Sequence, residues 1–248
     1  MANIDHFSDS LPVSLLNRRG LDVNKIITKQ DVSFFLSELG KKKHFAMHPF
    51  FGKINDYSSH DVALVLSPFF FAVHYWLDNL LMFYIDLLNK NDDKSAKLVG
   101  ENMADESGVE NGSINFQNSH KVTYIRFLEA LGNNNKRPII TSAVIKFNKE
   151  LENSLYTGNH KSHACLLGAI EYFYIGISTI IKDYCNTKNI EQSHYTVHEI
   201  LDSKHSMDFF NIAINCGATV SDFCTGINKG FQMLWNIYEN MLAEYKLL

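Results

Sequence analysis

The sequence predicts a single all-α domain, a helical bundle of about eight helices. Three observations carry this. Apolar residues recur at helical spacing over long stretches, and no segment alternates apolar with polar in the period of a strand. Glycine and proline are sparse, 13 and 4 in 248 residues, which leaves few turns and long elements. Aromatic residues are plentiful, 18 Phe and 11 Tyr, enough to fill a thick core. No repeat, low-complexity tract or linker divides the chain.

Residues 1–28 hold no long periodic segment and are expected to be a partly ordered lead-in, with the helical domain spanning 29–248. Gln30 to Leu39 reads as a short amphipathic helix stopped by Gly40 and the Lys41-Lys42-Lys43 run. In His48-Pro49-Phe50-Phe51 the proline opens a helix or turn and the two phenylalanines anchor it. Ser58 or Ser59 caps a helix from about His60, Pro68 interrupts it, and a longer helix runs from about Phe69 to Leu88. Polar Asn89 to Asp93 separates this from a helix over about Asp93 to Ser107, ended by Gly108. Asn118 or Ser119 caps a helix to Leu131, and Pro138 is placed in the first turn of one reaching Tyr156. His160 to Tyr184 is apolar around most of its circumference and is expected at the centre of the bundle. Residues 190–204 and one or two C-terminal helices, with Gly217 a kink, complete the chain.

The net charge of -4 leaves no basic footprint for nucleic acid. Val62 to Leu88 is the most apolar segment, but Pro68, His74, Asp78 and Asp86 make it a buried helix rather than a membrane span. Met1 to His6 shows no basic stretch leading into an apolar run, so a cytoplasmic protein is expected. Cys165, Cys185, Cys216 and Cys224 form no CxxC pair and read as mostly buried thiols.

Chemistry concentrates in His198-Glu199-Ile200-Leu201-Asp202-Ser203-Lys204-His205. His198, Asp202 and His205 stand at i, i+4 and i+7, within about 60° of one helix face. Two imidazoles and a carboxylate on one face suit a divalent transition metal; the same spacing also suits a solvated polar face. Glu171 is the only acidic residue between His160 and Ile181, so its carboxylate faces desolvation unless it is paired or metal-bound. Glu106 and His120 lie on two further helices. Glu-x-x-His occurs once, at Glu191 to His194, so the two such motifs of the ferritin-type signature are lacking.

Taken in order, Asn102-Met103-Ala104-Asp105-Glu106-Ser107-Gly108, the His120 helix ending in Phe127-Leu128-Glu129-Ala130-Leu131-Gly132, the lone Glu171 and His198-x-x-x-Asp202-x-x-His205 resemble one family. It is the haem-oxygenase-like diiron oxidases and oxygenases, the group that includes the chlamydial protein associating with death domains. The resemblance implies two iron ions, with manganese or zinc as substitutes, held by Glu106, His120, Glu171, His198, Asp202 and His205, with Glu171 bridging. It implies dioxygen activation and oxidation of a small amine, amino acid or carboxylate. It leaves room for a homodimer. The Glu-to-His segment is longer than the family's, which makes Glu110 the rival of Glu106. Asp78 is offered as an extra carboxylate, against a buried pairing with His74. The Phe69-Phe70-Phe71 and Tyr172-Phe173-Tyr174 clusters are expected to wall the pocket, and Tyr75, Tyr172, Tyr174 and Tyr195 are its phenols. The alternatives are a metal-free relative, thiaminase-like with Cys165 beside Glu171 or a cofactorless oxidase, a haem oxygenase using His44 or His48, and a non-enzymatic interaction protein.

Overall fold

The computed structural model describes residues 22–41, 44–110, 112–133 and 137–247. Residues 1–21 of the expected lead-in, and Lys42 and Lys43, lie outside the described residues. Among the described residues nine α-helices follow in order: α1 Lys29–Gly40, α2 Ser59–Leu66, α3 Phe70–Asn89, α4 Asp93–Glu106, α5 His120–Ala130, α6 Ser142–Thr157, α7 His160–Thr187, α8 His194–Asn215 and α9 Val220–Tyr245. The only sheet among them is one antiparallel hairpin of two-residue strands, β1 Val109–Glu110 and β2 Ser113–Ile114.

Local chemistry sets most boundaries. Thr28, Ser58 and Thr219 each close a capping box with an aspartate three residues on, at the heads of α1, α2 and α9. Pro68 opens a 3-10 turn, Ser67–Phe69, that separates α2 from α3. Phe50 and Phe51 are buried, as their anchoring role requires. Two boundaries differ from expectation. Pro138 precedes α6, which begins at Ser142 after an extended Thr141, and residues 137–141 form no helix. Gly217, at φ 73°, ends the turn between α8 and α9 instead of kinking one helix; only a residue without Cβ takes that conformation cheaply. Upstream, Ile27 is buried and its amide bonds to the Ala218 carbonyl at 2.9 Å, so residues just before α1 lie across this same turn.

The centre of the bundle is α7, packed chiefly against α8 and α9. Close approach depends on small residues. A Cβ at Gly226 would stand 2.5 Å from the Cys165 Cβ, and one at Gly230 would stand 2.7 Å from that of Ala169. Both the α2–α3 stretch and α7 are long and apolar enough to cross a membrane. In the fold α7 is largely buried by its neighbours, whereas α3 buries only one face. Its Leu80, Phe83 and Leu87 enter the core, while Leu81, Ile85 and Leu88 are exposed. The buried helix expected over Val62 to Leu88 is thus buried along one face of α3 and exposed along the other.

Candidate metal centre

Glu106 is the last residue of α4 and His120 the first of α5. Gly108, at φ 75°, turns the chain between them, and a Cβ there would lie 2.5 Å from the Asn115 carbonyl oxygen. The hairpin and a 3-10 turn, Phe116–Asn118, absorb the long intervening segment and return His120 to Glu106. Glu106 Oε2 then stands 2.5 Å from His120 Nδ1. Glu110 sits on β1, its backbone paired in register with Ser113.

The other four residues come from the bundle's centre. Glu171 projects from α7 and is 4% exposed. On α8, His198, Asp202 and His205 are buried while Ile200 is 70% exposed. A helix that turns ligand-type side chains inward and an isoleucine outward is inverted relative to a simple hydrophobic drive. The ligand atoms of Glu106, Glu171 and His205 lie within 4.8 Å of one another. The His120 and His198 ring centroids are 4.3 Å apart. His198 Nδ1 is 2.8 Å from Asp202 Oδ1. The fold thus brings together Glu106, His120, Glu171, His198, Asp202 and His205 from four helices.

Many of their polar atoms have no hydrogen-bond partner among the described residues: both His120 nitrogens, Glu171 Oε1, His198 Nε2, Asp202 Oδ2 and His205 Nδ1. His120 Nδ1 and Glu106 are close but not aligned as a hydrogen bond. Each unpartnered buried atom costs about 1–3 kcal/mol, so such a concentration fits ligand atoms aimed at cations. The charge balance fits as well. Burial, with Asp202 and Glu106 nearby, pushes Glu171 well above the usual carboxylate range. Burial and Glu106 do the same to Asp202. Burial also acts upward on Glu106, but His120, His198 and His205 more than offset it and hold it low. Burial drives His198 well down, keeping its ring neutral, the form that ligates. Cations among the three carboxyls would relieve their mutual repulsion.

Several residues had no assigned role in the sequence reading. Asp105 accepts from His205 Nε2 at 3.1 Å and leaves Nδ1 turned toward Glu171 Oε1, 4.0 Å away. A carboxylate behind a ligating imidazole is the usual support for such a ring. The signal was present in the Asp105-Glu106 pair. His194 lies four residues before His198, with ring centroids 4.5 Å apart. Other expectations are corrected. Asp78 and His74 are both exposed, so Asp78 neither joins the cluster nor forms a buried pair with His74. Of the expected wall, Phe69 and Tyr174 line the cavity; Phe173 packs instead on Phe45 and Phe231, and Tyr172 bonds the Leu36 carbonyl at 2.7 Å. Tyr195 packs behind Tyr174, at 6.1 Å between centroids. Cys165 is fully buried against Gly226, and burial pushes its thiol far up, which removes the thiolate a thiaminase-like reading needs. His48 is committed at both nitrogens, to the Trp235 carbonyl and the Phe50 amide, each at 3.1 Å. His44 Nε2 donates to the Leu39 carbonyl at 3.1 Å.

A cavity of about 50 Å³ opens beside the cluster. Glu106, Glu171 and His198 form one side, and Phe69, Ala72, Phe147 and Leu234 contribute an apolar wall.

No protein-family model matches the chain, and no curated protein matches it. Among solved structures it is similar to a CADD-like protein of unknown function from Nostoc punctiforme, with a TM-score of 0.64 and 15% identity over 84% of this chain and 97% of that one. At that identity the likeness establishes the fold alone, an all-α helical bundle.

Proposed function

We propose that this protein is a non-haem diiron oxidase or oxygenase acting on a small organic molecule and dioxygen. The observation that carries the reading is the set of unpartnered buried ligand atoms on Glu171, His120, His198, Asp202 and His205. Glu106, His120, Glu171, His198, Asp202 and His205 would hold the metal, and Glu171, whose carboxylate lies near that of Glu106 on α4 and the His205 ring on α8, would serve both ions. When bound, iron supplies the electrons and open coordination positions that dioxygen reduction requires.

The chain's own side chains shape what happens around it. Asp105 fixes the ring of His205, and Asp202 fixes that of His198. The cavity holds about four water-sized molecules, at roughly 10–15 Å³ each, so dioxygen fits and a whole metabolite needs the wall to open. No lysine or arginine lines it, so a substrate would be gripped by its apolar part, with a polar group turned to the Glu106, Glu171 and His198 side. Apolar Phe69, Ala72 and Leu234 keep bulk water from the reacting atoms.

The test is anaerobic loading with Fe(II), elemental analysis, then exposure to oxygen with optical and Mössbauer spectra. The expected result is about two irons per chain, the dinuclear stoichiometry of such bundles, and an oxygen-dependent change to a coupled diferric signal. Protein that retains no iron after desalting would end the proposal.

A further inference from the structure

We infer that His194 is a seventh protein ligand of this centre, binding metal through Nε2 beside His120 and His198. The inference rests on the diiron reading above and adds a residue to it. His194 begins α8, and with His198, Asp202 and His205 it continues one face of the helix at i, i+4, i+8 and i+11. All four side chains are buried, His194 at 1% exposure.

The tautomer follows from Thr123. Its hydroxyl has one proton, which it donates to the His120 carbonyl oxygen at 3.1 Å. Toward His194 Nδ1, 2.9 Å away, the same oxygen therefore accepts, so the ring proton sits on Nδ1. Nε2 is left with a lone pair, buried, and without a hydrogen-bond partner among the described residues. Its ring lies 4.5 Å from that of His198 and 5.8 Å from that of His120, centroid to centroid. Those two rings also carry an unpartnered Nε2. Three buried ring nitrogens without hydrogen-bond partners among the described residues thus sit on imidazoles packed against one another, and a cation satisfies such nitrogens. His194 thus stands to Thr123 as His205 stands to Asp105: one nitrogen anchored, the other offered.

The experiment titrates the full-length apo protein with Co(II), reading stoichiometry, affinity and the visible d–d bands. His194→Ala is expected to weaken one of the bound ions about tenfold or more and to alter the d–d bands. Added imidazole is expected to restore both. His194→Gln keeps the volume and the bond to Thr123 but is a poor ligand, so it should behave like the alanine variant; it also carries the comparison if the alanine variant fails to fold. If His194→Ala binds Co(II) with wild-type affinity and spectrum, the inference is wrong and the diiron reading stands. If His194→Gln alone restores the wild-type behaviour, His194 positions the site and is no ligand. Wild-type protein that takes up no metal overturns both.

Discussion

The Nε2 of His205 donates to the Asp105 carboxylate at 3.1 Å, joining α8 to the end of α4 across a hundred residues of sequence. Asp105 is half-buried and also lies 3.7 Å from Lys204. It touches no cavity wall, so its effect on metal runs through the His205 ring. Asp105→Ala is expected to lower metal affinity by about 10–100-fold while leaving the fold intact. Chelator competition alongside a thermal melt measures the two; unchanged affinity would remove Asp105 from the centre.

Glu171→Gln should act in opposite directions on the apo and metal-loaded protein. In the apo protein Glu171 is buried beside two other carboxyls, and its ionised form is penalised. A neutral isostere relieves that penalty, so the apo melting temperature should rise by roughly 2–4 °C, the equivalent of about 1 kcal/mol at this size. Metal content should fall, because the proposed centre loses the carboxylate that would serve both ions. A variant that melts lower and keeps its metal contradicts both halves.

His48 gives the fold an acid limit. Burial lowers its pKa from 6.5 to about 4, against the raising effect of the Trp235 carbonyl. A depressed histidine binds protons more readily in the unfolded chain. Stability is therefore complete above about pH 6.5 and declines as pH falls toward 4, by up to about 3 kcal/mol from this group. Urea melts from pH 7 to pH 4 measure the slope. A His48→Gln variant, less stable at pH 7, should show a shallower one; an equal slope would assign the acid limit to other groups.

Gly226→Ala tests the packing of α7 on α9 separately from the metal. The added methyl would stand 2.5 Å from the Cys165 Cβ and 2.7 Å from its carbonyl carbon, neither of which is a flexible tip. The expected cost is about 1–3 kcal/mol of stability, with metal stoichiometry unchanged in the folded fraction. A melt indistinguishable from wild type would show that the two helices separate without penalty.

The two halves of α8 should differ in the absence of metal. Up to His205 the helix buries chiefly polar side chains, His194, His198, Asp202 and His205, beside one ring, Tyr195, and beyond it Phe209, Phe210 and Ile212. Apolar burial holds the second half whatever the metal content; unpartnered polar atoms destabilise the first. In hydrogen exchange, residues around 196–204 should exchange faster in apo protein than residues around 209–213, and slow on metal addition. Equal protection in apo protein would mean that α7 packing alone holds the helix.

The sequence by itself determined the helices, because their signals are local. Helical spacing of apolar residues, Asp61 and Asp222 three residues after their caps, Pro68 and Gly108 all act within a turn or two of their own position. It also determined that Glu171 is anomalous, since a lone carboxylate on an apolar helix needs a partner wherever it faces. Which residues meet was decided by tertiary structure. The hairpin after Gly108, not the count of residues, returns His120 to Glu106. Exposure, which no local pattern fixes, separates Asp78 from the centre although both readings of it assumed burial. Asp105 and His194 take their places from partners about a hundred and about seventy residues distant, His205 and Thr123. Hydrogen-bond direction is a property of such pairs, and only folding brings the pairs together.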